Sequence, residues 1–148
     1  MLHCVRLMSP MTEQPIPFVT AILLCDNAIT EAGSGKKTLV GIFDRILSKS
    51  VPAQHGPFWV YAKMSDMQGS NRIRIEIIHL KTEKKIASLI LETNDIPESM
   101  RLQQFEWAIP LPRMTFPLEG EYEFQIIAND VFIGQTVLNV QQISEQKK

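Results

Sequence analysis

Two carboxylates and a lysine gathered around one turn are the first residues in this chain whose types and spacing point to chemistry. Asp26 and Asp44 flank the turn of FVTAILLCDNAITEAGSGKKTLVGIFDRIL, residues 18–47, and Lys36 lies between them. If a hairpin buried both aspartates together, they would repel and raise one another's pKa, the condition for a general acid and base pair. The plainer alternative is a solvated pair, with Arg45 or Lys37 at hand to neutralise either. The run Gly33-Ser34-Gly35-Lys36-Lys37-Thr38 has letters of a phosphate-wrapping loop but not its chemistry. Thr30 stands where the first glycine is needed, and Lys37 where a hydroxyl must ligate magnesium.

A second group is aromatic. Trp59, Tyr61 and Trp107, if exposed together on a sheet face, would stack on sugar rings or dock a partner; core packing explains the same three rings through their large burial. Other chemistry is thin. His3, His55 and His79 are scattered, and by parity His79 shares the inward face of Ile77, where a histidine bonded to backbone is expected. No serine sits in a Gly-x-Ser-x-Gly elbow, and no His or Cys pair has zinc spacing. Asp26, Asp44, Asp66, Asp95 and Asp130 fall near strand ends, but none is spaced Asp-x-Asp to chelate calcium. No catalytic residue, metal or cofactor is therefore expected.

The elements that must position these residues read as strands. Phe18 to Leu47 is two apolar runs around a Gly-Ser-Gly turn, a hairpin serving as sheet nucleus. Phe58–Met64 alternates with apolar groups on both faces, and Ile73, Ile75 and Ile77 point inward against Arg72, Arg74 and Glu76. Further strands follow at Ile86–Leu91, Phe105–Ile109, Glu121–Ala128 and Val131–Val140. Asn94 to Arg101 is a loop or one helical turn, and Pro110, Pro112 and Pro117 mark a connection that changes sheet. The sum is an all-β chain: an antiparallel β-sandwich of about eight strands, immunoglobulin-like or C2-like. Gly120-Glu121-Tyr122 has the form of a sandwich corner in which a tyrosine hydroxyl ties down a connection, although a plain core aromatic fits as well.

Composition agrees with one domain over residues 18–140. The 148 residues are 45% hydrophobic and 21% charged, ordinary for a globular chain that buries roughly two-thirds of its unfolded surface. A net charge of −1, with bases dispersed among acids, speaks against nucleic acid. Cys4 and Cys25 are too few for a disulfide framework, and no apolar run forms a signal or membrane segment, so the expected location is cytoplasmic. Residues 1–17, with three prolines, read as a tail in which Met11 is a candidate start, and residues 141–148 as a frayed end.

With these residues in view, the chain resembles a bacterial family of small β-sandwich proteins known only as a domain of unknown function. The resemblance rests on Leu24-Cys25-Asp26, on Gly35-Lys36 before Leu39-Val40-Gly41-Ile42-Phe43, on Phe58 to Tyr61, and on Gly120-Glu121-Tyr122-Glu123-Phe124. It implies a cytoplasmic sandwich with no assigned activity. The expected function is a non-catalytic binding or protein–protein interaction module, taking an unknown partner or a second copy through an edge strand. The alternatives are a carboxylate enzyme built on Asp26, Asp44 and Lys36, and a small-molecule or carbohydrate binder built on Trp59, Tyr61 and Trp107.

Overall fold

A computed structural model describes residues 15–144. The expected tail up to residue 14, including Met11, and the last four residues lie outside the described residues. Among the described residues there are eleven strands: β1 (Phe18–Thr30), β2 (Lys37–Phe43), β3 (Arg45–Ser48), β4 (Ala53–His55), β5 (Phe58–Ser65), β6 (Arg72–His79), β7 (Lys84–Glu92), β8 (Phe105–Leu111), β9 (Met114–Phe116), β10 (Gly120–Ala128) and β11 (Val131–Gln142). A single 3-10 turn, Glu98–Met100, interrupts the loop before β8. Among the described residues no helix is long and apolar enough to cross a membrane.

The all-β expectation holds. Three more strands appear than the eight expected, because β3, β4 and β9 have only three or four residues, too few for a period of two to show in the sequence. The strands form a four-stranded sheet in the order β2-β1-β5-β8, a five-stranded sheet β3-β11-β10-β6-β7, and a two-stranded sheet β4-β9. One sheet curls as a half-barrel. Pairing is not antiparallel throughout, since β3 runs parallel to β11. The physical reason lies at Asp44. Its backbone oxygen accepts from Asn139 N at 2.9 Å, and there the chain leaves the first sheet for the second. The nucleus hairpin therefore ends at Phe43 and not at Leu47.

The hairpin itself forms as read. β1 and β2 pair antiparallel from Leu24↔Phe43 to Thr30↔Lys37, and the turn is closed by Glu31 N donating to Lys36 O at 2.8 Å. Because a strand and not a helix follows Lys36, the phosphate-loop geometry is absent. Inward residues of both large sheets share one core: Phe58, Val60, Ala62 and Met64 from β5 face Ile73, Ile75 and Ile77 from β6 and Tyr122, Phe124 and Ile126 from β10. Burying one such side chain contributes about 1.5–3 kcal/mol, so this alternation is what fixes the register. The sheets close on the β1 and β11 side, where a Cβ on Gly134 would lie 3.2 Å from Val19.

The sheet-changing connection is where the prolines placed it, running from β8 through β9 to β10. Tyr122, fully buried, accepts a hydrogen bond from Leu118 N at 3.0 Å and donates one to Leu118 O at 2.7 Å. The hydroxyl thus ties down the connection. His79 is buried beside it, with ring centroids 4.8 Å apart. Its Nε2 lies 2.9 Å from Glu119 O and its Nδ1 2.8 Å from Thr82 Oγ1. Since a carbonyl only accepts, Nε2 carries the proton and Nδ1 accepts from Thr82.

Candidate functional site

β2 is an outer strand with one neighbour, and both of its faces carry something to recognise. From Thr38 to Phe43 it has no charged residue and no proline. The other outer strands of the two large sheets are shielded: β7 begins Lys84-Lys85 and ends at Glu92, β8 carries Glu106 and Pro110, and β3 has only four residues. Charge, proline and shortness are the usual means by which an edge refuses a further strand, and beyond its first residue, Lys37, β2 has none of them.

Part of the outward face of this sheet is apolar. By register, Ile42 pairs with Cys25, Cys25 with Trp59, and Trp59 with Pro110, so the four form one row across the sheet. Leu23, Tyr61 and Ala108 form the next row. Ile42 is 57% exposed and Val40 46%, whereas Cys25 is completely covered by its neighbours. Burial pushes the Cys25 thiol up, against a hydrogen bond at Asn27, which makes it an inert apolar residue. Tyr61 is buried, and its hydroxyl donates to Glu106 Oε2. Desolvation first, and then the Glu106 bond and charge, push its pKa up to about 12.

The other side of β2, which carries Leu39, Gly41 and Phe43, meets polar groups of neighbouring elements. Gly41 has φ +70°, and a Cβ there would lie 2.8 Å from the Asp26 Cγ, so the Asp26 side chain rests directly over the glycine. A depression of about 320 Å³ lined by Asp26, Gln54, His55, Gly56, Pro57 and Arg113 adjoins it. Arg113 Nε donates to Gln54 Oε1 at 3.0 Å. The His55 ring stands edge-on to Phe43 at 5.0 Å and tilted against Phe58 at 5.6 Å. Burial against these rings holds its pKa below the ordinary histidine value, with Asp26 opposing the shift and Arg113 adding to it. An imidazole, a carboxyl group and a guanidinium thus line one depression.

The residues singled out in the sequence are only partly brought together. Asp26 enters this depression; Asp44, at the crossing between sheets, does not line it. Lys36 sits at the exposed hairpin tip, four residues of β1 beyond Asp26, roughly 13 Å along the strand. The aromatic trio is divided: Trp59 and Tyr61 face outward, while Trp107 pairs with Ala62 and packs inward against the core. Gln54 and Arg113 went unnoticed in the sequence, and His55 stood there only as one of three scattered histidines, because β4 and β9 are too short to carry a period. The one signal for His55 was its place in a proline- and glycine-flanked segment, PAQHGP. Among the described residues no group of three or more His, Cys, Asp or Glu is placed to hold a metal ion.

Fold and site together define a class: an all-β domain whose outer strand β2 exposes Val40 and Ile42, with no group placed to hold a metal ion among the described residues. A protein-family model described as a family of unknown function, DUF6941, matches residues 20–141. The chain belongs to that family. No curated protein sequence matches it significantly. Among solved structures, it is similar at a TM-score of 0.45 and 8% identity to the Pseudomonas fluorescens alkylpurine DNA glycosylase AlkC bound to DNA containing an abasic site analog. That match covers 92% of this chain and 33% of the glycosylase, so the chain spans about a third of its length. A likeness of this size carries no argument for activity.

Proposed function

We propose that this protein is a non-catalytic interaction module that takes up an extended strand along β2, and that the strand is β2 of a second copy. The observation that carries this reading is the uncharged edge from Thr38 to Phe43 with Val40 and Ile42 exposed on it. An added strand gains main-chain hydrogen bonds along the edge, and its alternate side chains meet two different surfaces. Those on one face pack on Val40 and Ile42; those on the other reach toward Asp26 and His55. Two β2 strands paired antiparallel about a two-fold axis satisfy each other's apolar face, the commonest symmetry of self-association. A two-layer, immunoglobulin-like sandwich in the cytoplasm belongs to the same reading, supported by the shared core and by the Tyr122 corner. The carboxylate-enzyme alternative loses support because Asp44 and Lys36 do not join Asp26. A carbohydrate platform loses support because Trp107 faces away from Trp59.

The test is a photoreactive residue in place of Val40 in the full chain. The reading expects an irradiated dimer whose cross-link maps to residues 37–43 of the second copy. Cross-links that map to β7 or β8, or no covalent dimer up to millimolar concentration, would reject it.

A further inference from the structure

The depression beside β2 holds an acid and a base that do not pair. Asp26 enters it from β1, and Arg113 from the turn between β8 and β9. No ion pair joins the two, and no hydrogen bond among the described residues engages the Asp26 carboxyl. Only the Nε of Arg113 is engaged, donating to Gln54 Oε1 at 3.0 Å, so its terminal nitrogens have no partner among the described residues. Both side chains act on the His55 ring, where Asp26 favours the proton and Arg113 opposes it. The two charges therefore converge on one place in the depression. Short pairings hold them there. β4 and β9 pair from Ala53↔Phe116 to His55↔Met114, so Arg113 directly precedes the partner of His55. A Cβ on Gly56, at φ +114°, would lie 3.2 Å from Arg113 Cα and 3.3 Å from Pro112 O, so the two turns touch along their backbones. On the β1 wall, the Asp26 side chain rests over Gly41.

Size and charge together select the occupant. At about 320 Å³ the depression lies at the small end of ligand sites, which run from about 300 to 1,000 Å³. A molecule carrying one group of each sign satisfies both walls, whereas a lone cation or anion meets one partner and one like charge. A chain terminus likewise brings only one of the two charges. We propose that this depression is a binding site for a small zwitterion of the α-amino acid class, its ammonium at Asp26 and its carboxylate at Arg113, beside the His55 ring. This goes beyond strand addition at β2: no β2 residue lines the depression, and the test reads ligand binding and not oligomeric state.

Alanine, propionate and ethylammonium, titrated separately into the full chain, test it by NMR shifts of the His55 ring and the Gly56 amide. The last two match alanine in size but carry one charge each. Saturable binding of alanine is expected at about millimolar concentration, since exposed charges act weakly. Propionate and ethylammonium should bind at least about fivefold more weakly. Arg113→Gln should bring alanine down to the level of ethylammonium, and Asp26→Asn down to that of propionate. The three-ligand comparison on the wild type decides the matter even if a variant misfolds. Shifts that never saturate, propionate or ethylammonium binding as well as alanine, or an alanine advantage that survives both substitutions would overturn the proposal.

Discussion

Gly41 shows how one residue serves both the fold and the site. Its φ of +70° is one that L side chains adopt at a cost, and a Cβ would collide with Asp26. Gly41→Ala should therefore lower stability by about 1–2 kcal/mol, read as a fall in denaturation midpoint. Truncating Asp26 to alanine removes the carboxyl part of the collision and leaves only its Cβ, 3.0 Å away. In the Asp26→Ala background the same change should cost less, and strictly additive effects would show that Asp26 does not rest on the glycine. Tyr122→Phe keeps the buried ring but strands Leu118 N and O; a loss of about 1–3 kcal/mol is expected in urea unfolding. These two positions also mark the limit of reading by letter. The Gly-Glu-Tyr corner announced a hydroxyl tie because hydroxyl and backbone are only four residues apart. Gly41 gave no sign of its partner, since the pairing of Asp26 with β2 depends on register.

At the scale of elements, the long strands were legible and the short ones were not. Alternation over β6 told which side chains face inward, because the strand has enough residues to repeat its pattern. It did not tell which strand stands at an edge, a property of the sheet and not of the strand. Nor did it show that Glu76 on β6, read as outward and solvated, is buried among charges. Arg74 Nε lies 2.7 Å and Lys85 Nζ 3.1 Å from its Oε2. Burial works to raise the Glu76 pKa, but the hydrogen bonds and charges of Lys85 and Arg74 outweigh it and hold the carboxyl below its usual range. A depressed carboxylate contributes stability above its unfolded pKa, about 4.3, and loses it as pH falls through the folded value. The stability difference between the wild type and Glu76→Gln should thus be largest near neutrality and shrink in acid; a pH-independent difference in urea midpoints would contradict the ionic role of this cluster.

On the scale of the whole molecule, two sheets close along β1 and β11 and part along β7 and β8, and the strands of least neighbourly support are all at the rims. Local opening follows such support. In a monomer, amides of β7 and β8 should exchange with deuterium well before those of β5 and β10, whose side chains form the core; uniform protection would mean that the seam is closed. β2 differs from those rims in its uncharged run from Thr38 to Phe43, the edge on which the proposed strand addition rests. The decisive measurement is sedimentation of the full chain and of Ile42→Lys over a range of concentrations. Because Ile42 is 57% exposed, the substitution should leave thermal stability nearly unaltered while placing like charges across the two-fold pairing. Strand addition predicts a concentration-dependent dimer for the wild type and a monomer for Ile42→Lys. A wild type that stays monomeric to millimolar concentration, or an Ile42→Lys variant that dimerises equally well, would contradict it.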